Sequence, residues 1–183
     1  IIIDKKPILK ERTEQTSMKR ILIPIIIFAM SFPAGSFAFD YKSWVPFIPS
    51  ELGGLKKNGK PEGMNMEMNN EKWSSLTQTY GGEDSDKETT LTIVCGTNAP
   101  QMQHFKGIPK MKIETEDQIM TDVTISGRGG FLILDKEEKS GYLMILLDDR
   151  LLVTVEMQDC DDKEKLLSTA KQIPFDKFKC SDK

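Results

Sequence analysis

Histidine is almost missing from this chain of 183 residues: His104 is the only one. A zinc site built from several imidazoles is therefore excluded, and only one imidazole remains for acid–base work. The serine-hydrolase elbow G-x-S-x-G is absent, so Ser-His-Asp chemistry has no scaffold. Gly127-Arg128-Gly129-Gly130 falls short of a phosphate-binding fingerprint, because a strand-like run rather than a helix follows it. Positive charge is also scarce, with 25 Lys and Arg against 28 Asp and Glu, and the nearest approach to a basic patch, Lys56, Lys57 and Lys60, reads as a solvated loop. That balance argues against nucleic acid and anionic membrane surfaces as partners.

What is present at the amino-terminal end has the three parts of a secretory signal in order. Met18-Lys19-Arg20 is a positive start, Ile21 to Met30 an apolar run, and Ser36-Phe37-Ala38 a small-residue cleavage motif. The expected cut lies between Ala38 and Phe39. Residues 1–17 carry mixed charges that no signal needs and are read as upstream, over-extended translation. An uncleaved anchor is the competing reading, since Ile21 to Phe39 approaches the ~20 residues that span a bilayer. Pro24, Pro33 and Gly35 favour cleavage, because helix breakers suit the extended conformation a peptidase requires. Phe39 in place of Cys gives no lipid attachment point. The expected product is periplasmic or secreted, with no stable membrane anchor after cleavage.

Residues 1–38 hold six Lys/Arg and three Asp/Glu, which leaves residues 39–183 with 19 basic and 25 acidic side chains, net −6. A chain of that length buries roughly 68 to 70% of its unfolded surface in one core, so one domain is expected. It keeps three cysteines. In an oxidising compartment, an odd count implies one pair and one remainder. Spacing favours Cys160 with Cys180, because an extended tail from Pro174 at ~3.3 Å per residue reaches back along a helix that rises ~1.5 Å per residue. Cys95 alternates with Leu91 and Ile93 and is expected to point inward as a small buried hydrophobe. A Cys95/His104 catalytic couple, the basis of a cysteine-dependent enzyme, would require an exposed thiolate beside the ring.

Residues 39–70 are rich in Pro, Gly, Lys and Asn and read as an ordered lead-in with turns at Gly53-Gly54 and Gly59 to Gly63. Trp73 to Tyr80 and Thr89 to Cys95 read as strands, with the acidic turn Glu83, Asp84, Asp86 and Glu88 between them; it lacks calcium-loop spacing. A helix is expected from Ala99, with Pro100 in its first turn. Met111 to Met120 fits strand or helix equally. Val123 to Ser126, Gly130 to Asp135, Tyr142 to Leu147 and Leu151 to Met157 read as four strands. FLIL and YLMILL are apolar on both faces, which requires cover on each side of the sheet. Asp159, Asp161 and Asp162 open a last helix with the stripe Leu166, Leu167, Ala170 and Ile173. The expected fold class is α+β: a single antiparallel sheet of about six strands flanked by helices, in the order β-β-α-β-β-β-β-α.

That order of elements, the signal segment, the run Leu52-Gly53-Gly54-Leu55 and the turn Thr124-Ile125-Ser126-Gly127 resemble the PsbP-like family of small exported α+β proteins. The resemblance spans residues 50–178. It implies a binding role, and it carries over no functional residue.

The most suggestive local chemistry is Met64-Asn65-Met66-Glu67-Met68. Three thioethers at alternate positions share one face of an extended segment, and soft sulfur ligands select Cu(I). The simpler reading is that the same face packs on the core, Met being an adaptable filler. Met102 and His104 are helical neighbours two apart and do not face the same way. Glu114, Glu116 and Asp117 read as a solvated face, and Asp148-Asp149 as a hairpin turn. The expectation is an exported envelope binding or accessory protein without catalytic activity or cofactor. Its partner is a protein or small molecule, met by an exposed apolar patch or a concave sheet face that involves the aromatics Trp44 and Phe47. A Cu(I)-binding protein is the alternative.

Overall fold

Among the described residues, nine strands run in sequence: β1 (Glu51–Leu52), β2 (Leu55–Met68), β3 (Glu71–Gly81), β4 (Glu88–Cys95), β5 (Lys112–Glu114), β6 (Gln118–Ile125), β7 (Arg128–Asp135), β8 (Ser140–Leu146) and β9 (Leu151–Gln158). Two short α-helices, α1 (Pro100–Gly107) and α2 (Lys163–Ala170), interrupt or follow them, and single turns of 3-10 helix lie at Tyr41–Ser43, Val45–Phe47 and Phe175–Lys177. The structure, a computed structural model, describes residues 40–68, 70–82 and 87–180. The expected signal segment 18–38, its Ala38/Phe39 cleavage point, residues 1–17 and the loop carboxylates Glu83, Asp84 and Asp86 lie outside the described residues.

The strands form one sheet in the order β1-β2-β3-β4-β9-β8-β7-β6-β5, with every neighbouring pair antiparallel. Two meanders therefore meet at the centre. The first runs from the β1 edge inward to β4. The chain then crosses one sheet face through α1 to the far edge at β5, and the second meander returns to place β9 beside β4.

This corrects the expected six-stranded β-β-α-β-β-β-β-α arrangement. The six expected strands are present, and three more join them. β2 was hidden because LKKNGKPEGMNMEM carries Gly, Pro, Asn and charge, all poor strand residues. It lies next to the edge, where such residues are tolerated, and the register shift between Asn58 and Glu62 takes Gly59, Lys60 and Pro61 out of the ladder. Gly53 and Gly54, both at positive φ, make the two-residue turn that joins β1 to β2, so the expected lead-in is itself sheet. Ser126 and Gly127, also at positive φ, turn β6 into β7 in the same way. The ambiguous stretch Met111 to Met120 holds two strands, because the Thr115 hydroxyl accepts from the Gln118 amide at 3.0 Å and reverses the chain between them.

Each sheet face buries its own cluster. On the principal face, Leu76, Tyr80, Leu91, Ile93, Leu132, Leu134, Leu143, Ile145, Val153 and Val155 are closed over by three elements of cover. These are Trp44, Ile48 and Leu52 from the amino-terminal segment, Leu166 and Ala170 from α2, and Ile173, Phe175 and Phe178 from the tail. α2 is short, and its start is set by Asp162, whose side chain accepts from the Glu164 amide at 2.8 Å. Trp44 ties two covers together, its Nε1 donating to the Lys179 carbonyl at 3.0 Å.

The tail is also held covalently, and here a second expectation is corrected. Cys180 pairs with Cys95 on central strand β4, with Cα atoms 5.8 Å apart, and Cys160 is a free, buried thiol. The expected Cys160–Cys180 bridge assumed that the tail folds back to the start of α2. Instead it crosses the principal face, driven by burial of Ile173, Phe175 and Phe178, and reaches β4. Cys95 is fully buried as expected, but as half of a disulfide rather than as a free hydrophobe.

Candidate binding groove beneath α1

The second face is only partly covered, and the register shows which part. Reading straight across the strands, one row runs Thr77, Thr92, Thr154, Met144, Phe131, Asp122, and the next runs Thr79, Thr90, Glu156, Tyr142, Ile133, Met120, Ile113. The β3 and β4 ends of both rows are hydroxyl-bearing, and the β7 and β6 ends are mainly apolar. Thr77 and Thr92 share a hydrogen bond at 3.2 Å across the strands. Tyr142 bonds Thr154, and burial raises its phenol above the ordinary value, with the Glu156 charge adding to the rise and the Thr154 bond opposing it.

α1 lies over the apolar end. Pro100 in the first turn costs the helix no hydrogen bond, and Met102 is fully buried against the cluster of Trp73, Val94, Ala99, Phe131, Met144 and Leu152. With only eight residues, α1 covers little of a sheet this wide. Its last turn stops at Gly107, and Ile108-Pro109 carries the chain off in an extended path to β5. Between that end of the helix and the sheet is a groove of about 400 Å³. Its floor is Met120, Phe131 and Ile133; Ile108, Pro109 and Met111 form one wall, and Gln103, His104 and Gly107 the helix side. The lining is predominantly apolar. Of two recesses along the β2–β3 seam, each of about 330 Å³, one is lined mainly by polar groups such as Asn58, Lys60 and Glu62, and the other mixes Glu62, Ser75 and Thr77 with Met64.

The residues singled out from sequence are dispersed rather than gathered. Met64 is 45% exposed on β2, whereas Met66 on the same strand face packs toward Trp73; the Met68 side chain lies outside the described residues. Trp44 is buried and bonded to the tail, so it cannot belong to an exposed patch, and of that pair only Phe47 is exposed. The Cys95/His104 couple is corrected: the Cys95 sulfur is in a disulfide within the principal core, while His104 is exposed on α1 over the other face. Among the described residues, no group of three or more His, Cys, Asp or Glu is placed to hold a metal ion.

Apart from His104, the groove residues were not singled out in sequence. Phe131 and Ile133 carried a signal, since FLIL was apolar on both faces and demanded cover on each. Met111 and Met120 carried none, because their window did not separate strand from helix. Searches of family models, of curated proteins and of solved structures find no match to this chain.

Proposed function

We propose that the protein is an exported, non-catalytic binding or accessory protein that receives a small, largely apolar ligand in the groove beneath α1. One observation carries this reading: a concave, predominantly apolar groove of about 400 Å³, within the range of small-molecule sites, on an otherwise hydroxyl-rich sheet face. The export signal and the disulfide fit an oxidising compartment. The PsbP-like resemblance fits a binding role.

The test is titration with the neutral, apolar fluorophore N-phenyl-1-naphthylamine. A blue-shifted, saturable signal is expected. Ile133→Gln, on the groove floor, should weaken it by about tenfold, with the thermal melt retained as a check on folding. Absence of saturable binding, or binding indifferent to Ile133→Gln, would sink the proposal.

The second reading, Cu(I) binding by Met64, Met66 and Met68, is favoured by one observation: Met64 is exposed and shares its strand face with Met66. Competition for Cu(I) against a chromogenic chelator decides it. A wild-type chain that withholds the ion and a triple Met→Leu variant that does not would establish the site; equal behaviour of the two would eliminate it.

A further inference from the structure

The helix side and wall of the groove fall in a long stretch of this acidic chain that has no carboxylate. From Thr89 to Ile113 there is no Asp or Glu, and within that stretch fall His104, Lys106, Lys110 and Lys112. Two of the lysines adjoin lining residues directly: Lys106 precedes Gly107, and Lys110 lies between Pro109 and Met111. Both are exposed, and neither forms an ion pair among the described residues; Lys112 pairs with Glu114 at 3.2 Å. Lys106 also complements the carboxy-terminal end of α1, but Lys110 follows the helix and has no such role. The nearby carboxylates are both on the sheet: Asp122, beside Phe131 and one position beyond the Lys112–Thr121 pair, and Glu156, beside Tyr142.

An apolar floor with cations along a single lip is complementary to a ligand with an apolar chain and an anionic head. We infer that the groove takes a free single-chain anionic amphiphile, of the class of a medium-chain fatty acid. Its alkyl chain lies on Met120, Phe131 and Ile133, and its carboxylate meets Lys106 and Lys110 with His104 alongside. The inference rests on the proposed groove and adds the class of its ligand.

Two consequences separate this ligand from a generic hydrophobe. Each methylene buried is worth ~0.8 kcal/mol, so lengthening the chain should tighten binding about fourfold per carbon until the groove is full. The head should contribute through solvent-exposed pairs, which add modestly and are screened by salt.

The experiment is displacement of N-phenyl-1-naphthylamine from the exported chain by decanoate and by 1-decanol, both below the concentration at which they aggregate. Decanoate is expected to displace at about tenfold lower concentration than decanol. Lys106→Gln/Lys110→Gln should remove that advantage without changing the affinity for the fluorophore. Equal displacement by the two ligands, or a decanoate advantage that survives the double variant, overturns the inference and leaves the groove reading standing. No binding of the fluorophore overturns both. Sedimentation with phosphatidylglycerol vesicles by a chain that ignores monomeric decanoate would also overturn it, in favour of an anionic membrane surface.

Discussion

Breaking the Cys95–Cys180 bond should cost more than any other single change in the covalent structure, and the loop it closes sets the size of the effect. The two residues are 85 apart in sequence. In the chain-entropy account, cross-linking a loop of that length removes about 4.6 kcal/mol of freedom from the unfolded chain. The folded state should survive the loss, because Ile173, Phe175 and Phe178 remain buried and Trp44 still donates to the Lys179 carbonyl. A domain of this size is stable by only ~5 to 15 kcal/mol, so the bond is a large share of the total. Urea unfolding followed by fluorescence of the two tryptophans, Trp44 and Trp73, both buried, is the direct assay. With a slope of ~2 kcal/mol per molar urea, Cys95→Ala/Cys180→Ala should lower the midpoint by about 2 M, and reductant should lower that of the wild type similarly. Cys160→Ala is the control. It deletes one buried sulfur that donates to the Asp162 carbonyl at 3.5 Å, and it should cost about 1 kcal/mol while leaving the response to reductant intact. Loss of the reductant response in Cys160→Ala, or a double variant that unfolds within about 1 kcal/mol of the wild type, would refute a stabilising Cys95–Cys180 bond.

Tyr80 should make the protein sensitive to alkali. Its ring is fully buried and its hydroxyl donates to the Pro49 carbonyl at 3.0 Å, and burial raises the phenol far above its ordinary value. Its stabilising effect is therefore complete below the unfolded pKa near 10; above that point the unfolded state releases a proton that the folded state retains, and stability falls with rising pH. Unfolding free energies measured between pH 8 and 11 should show this decline, and Tyr80→Phe should flatten it at a cost of about 1 kcal/mol for the lost hydrogen bond. At the β6–β7 turn, Arg128 pairs with Asp176 and stands 5.7 Å from the centre of the Phe175 ring, fastening the tail to the far side of the sheet. Arg128→Ala should lower stability by about 1 kcal/mol and raise amide exchange in residues 175–178 ahead of the sheet; unchanged exchange there would show that the contact holds nothing in place.

Strand signals were readable wherever a segment met its neighbours on both sides. β3, β4, β7, β8 and β9 are all interior strands, and there the demand for β-branched and apolar residues is met locally. β2 lies beside the two-residue β1 at one margin of the sheet and β5 forms the other. Neither needs strand-like composition, because most of one side of β2 is released from pairing and β5 is only three residues long. Propensity is therefore weakest where the strands were overlooked.

The amino-acid sequence by itself determined the antiparallel character of the sheet, since short connections leave successive strands no other arrangement. It also determined that strands such as FLIL must be covered on both faces, because their apolar side chains alternate to both sides. Only the tertiary structure decided which cysteine meets Cys180, for that choice depends on where burial of Phe175 and Phe178 sends the tail and not on the distance between thiols along the chain. It likewise decided the groove. His104, Met111, Met120 and Ile133 come together because an eight-residue helix crosses a nine-stranded sheet and is too short to cover it, a mismatch of sizes that exists only once both elements are in place.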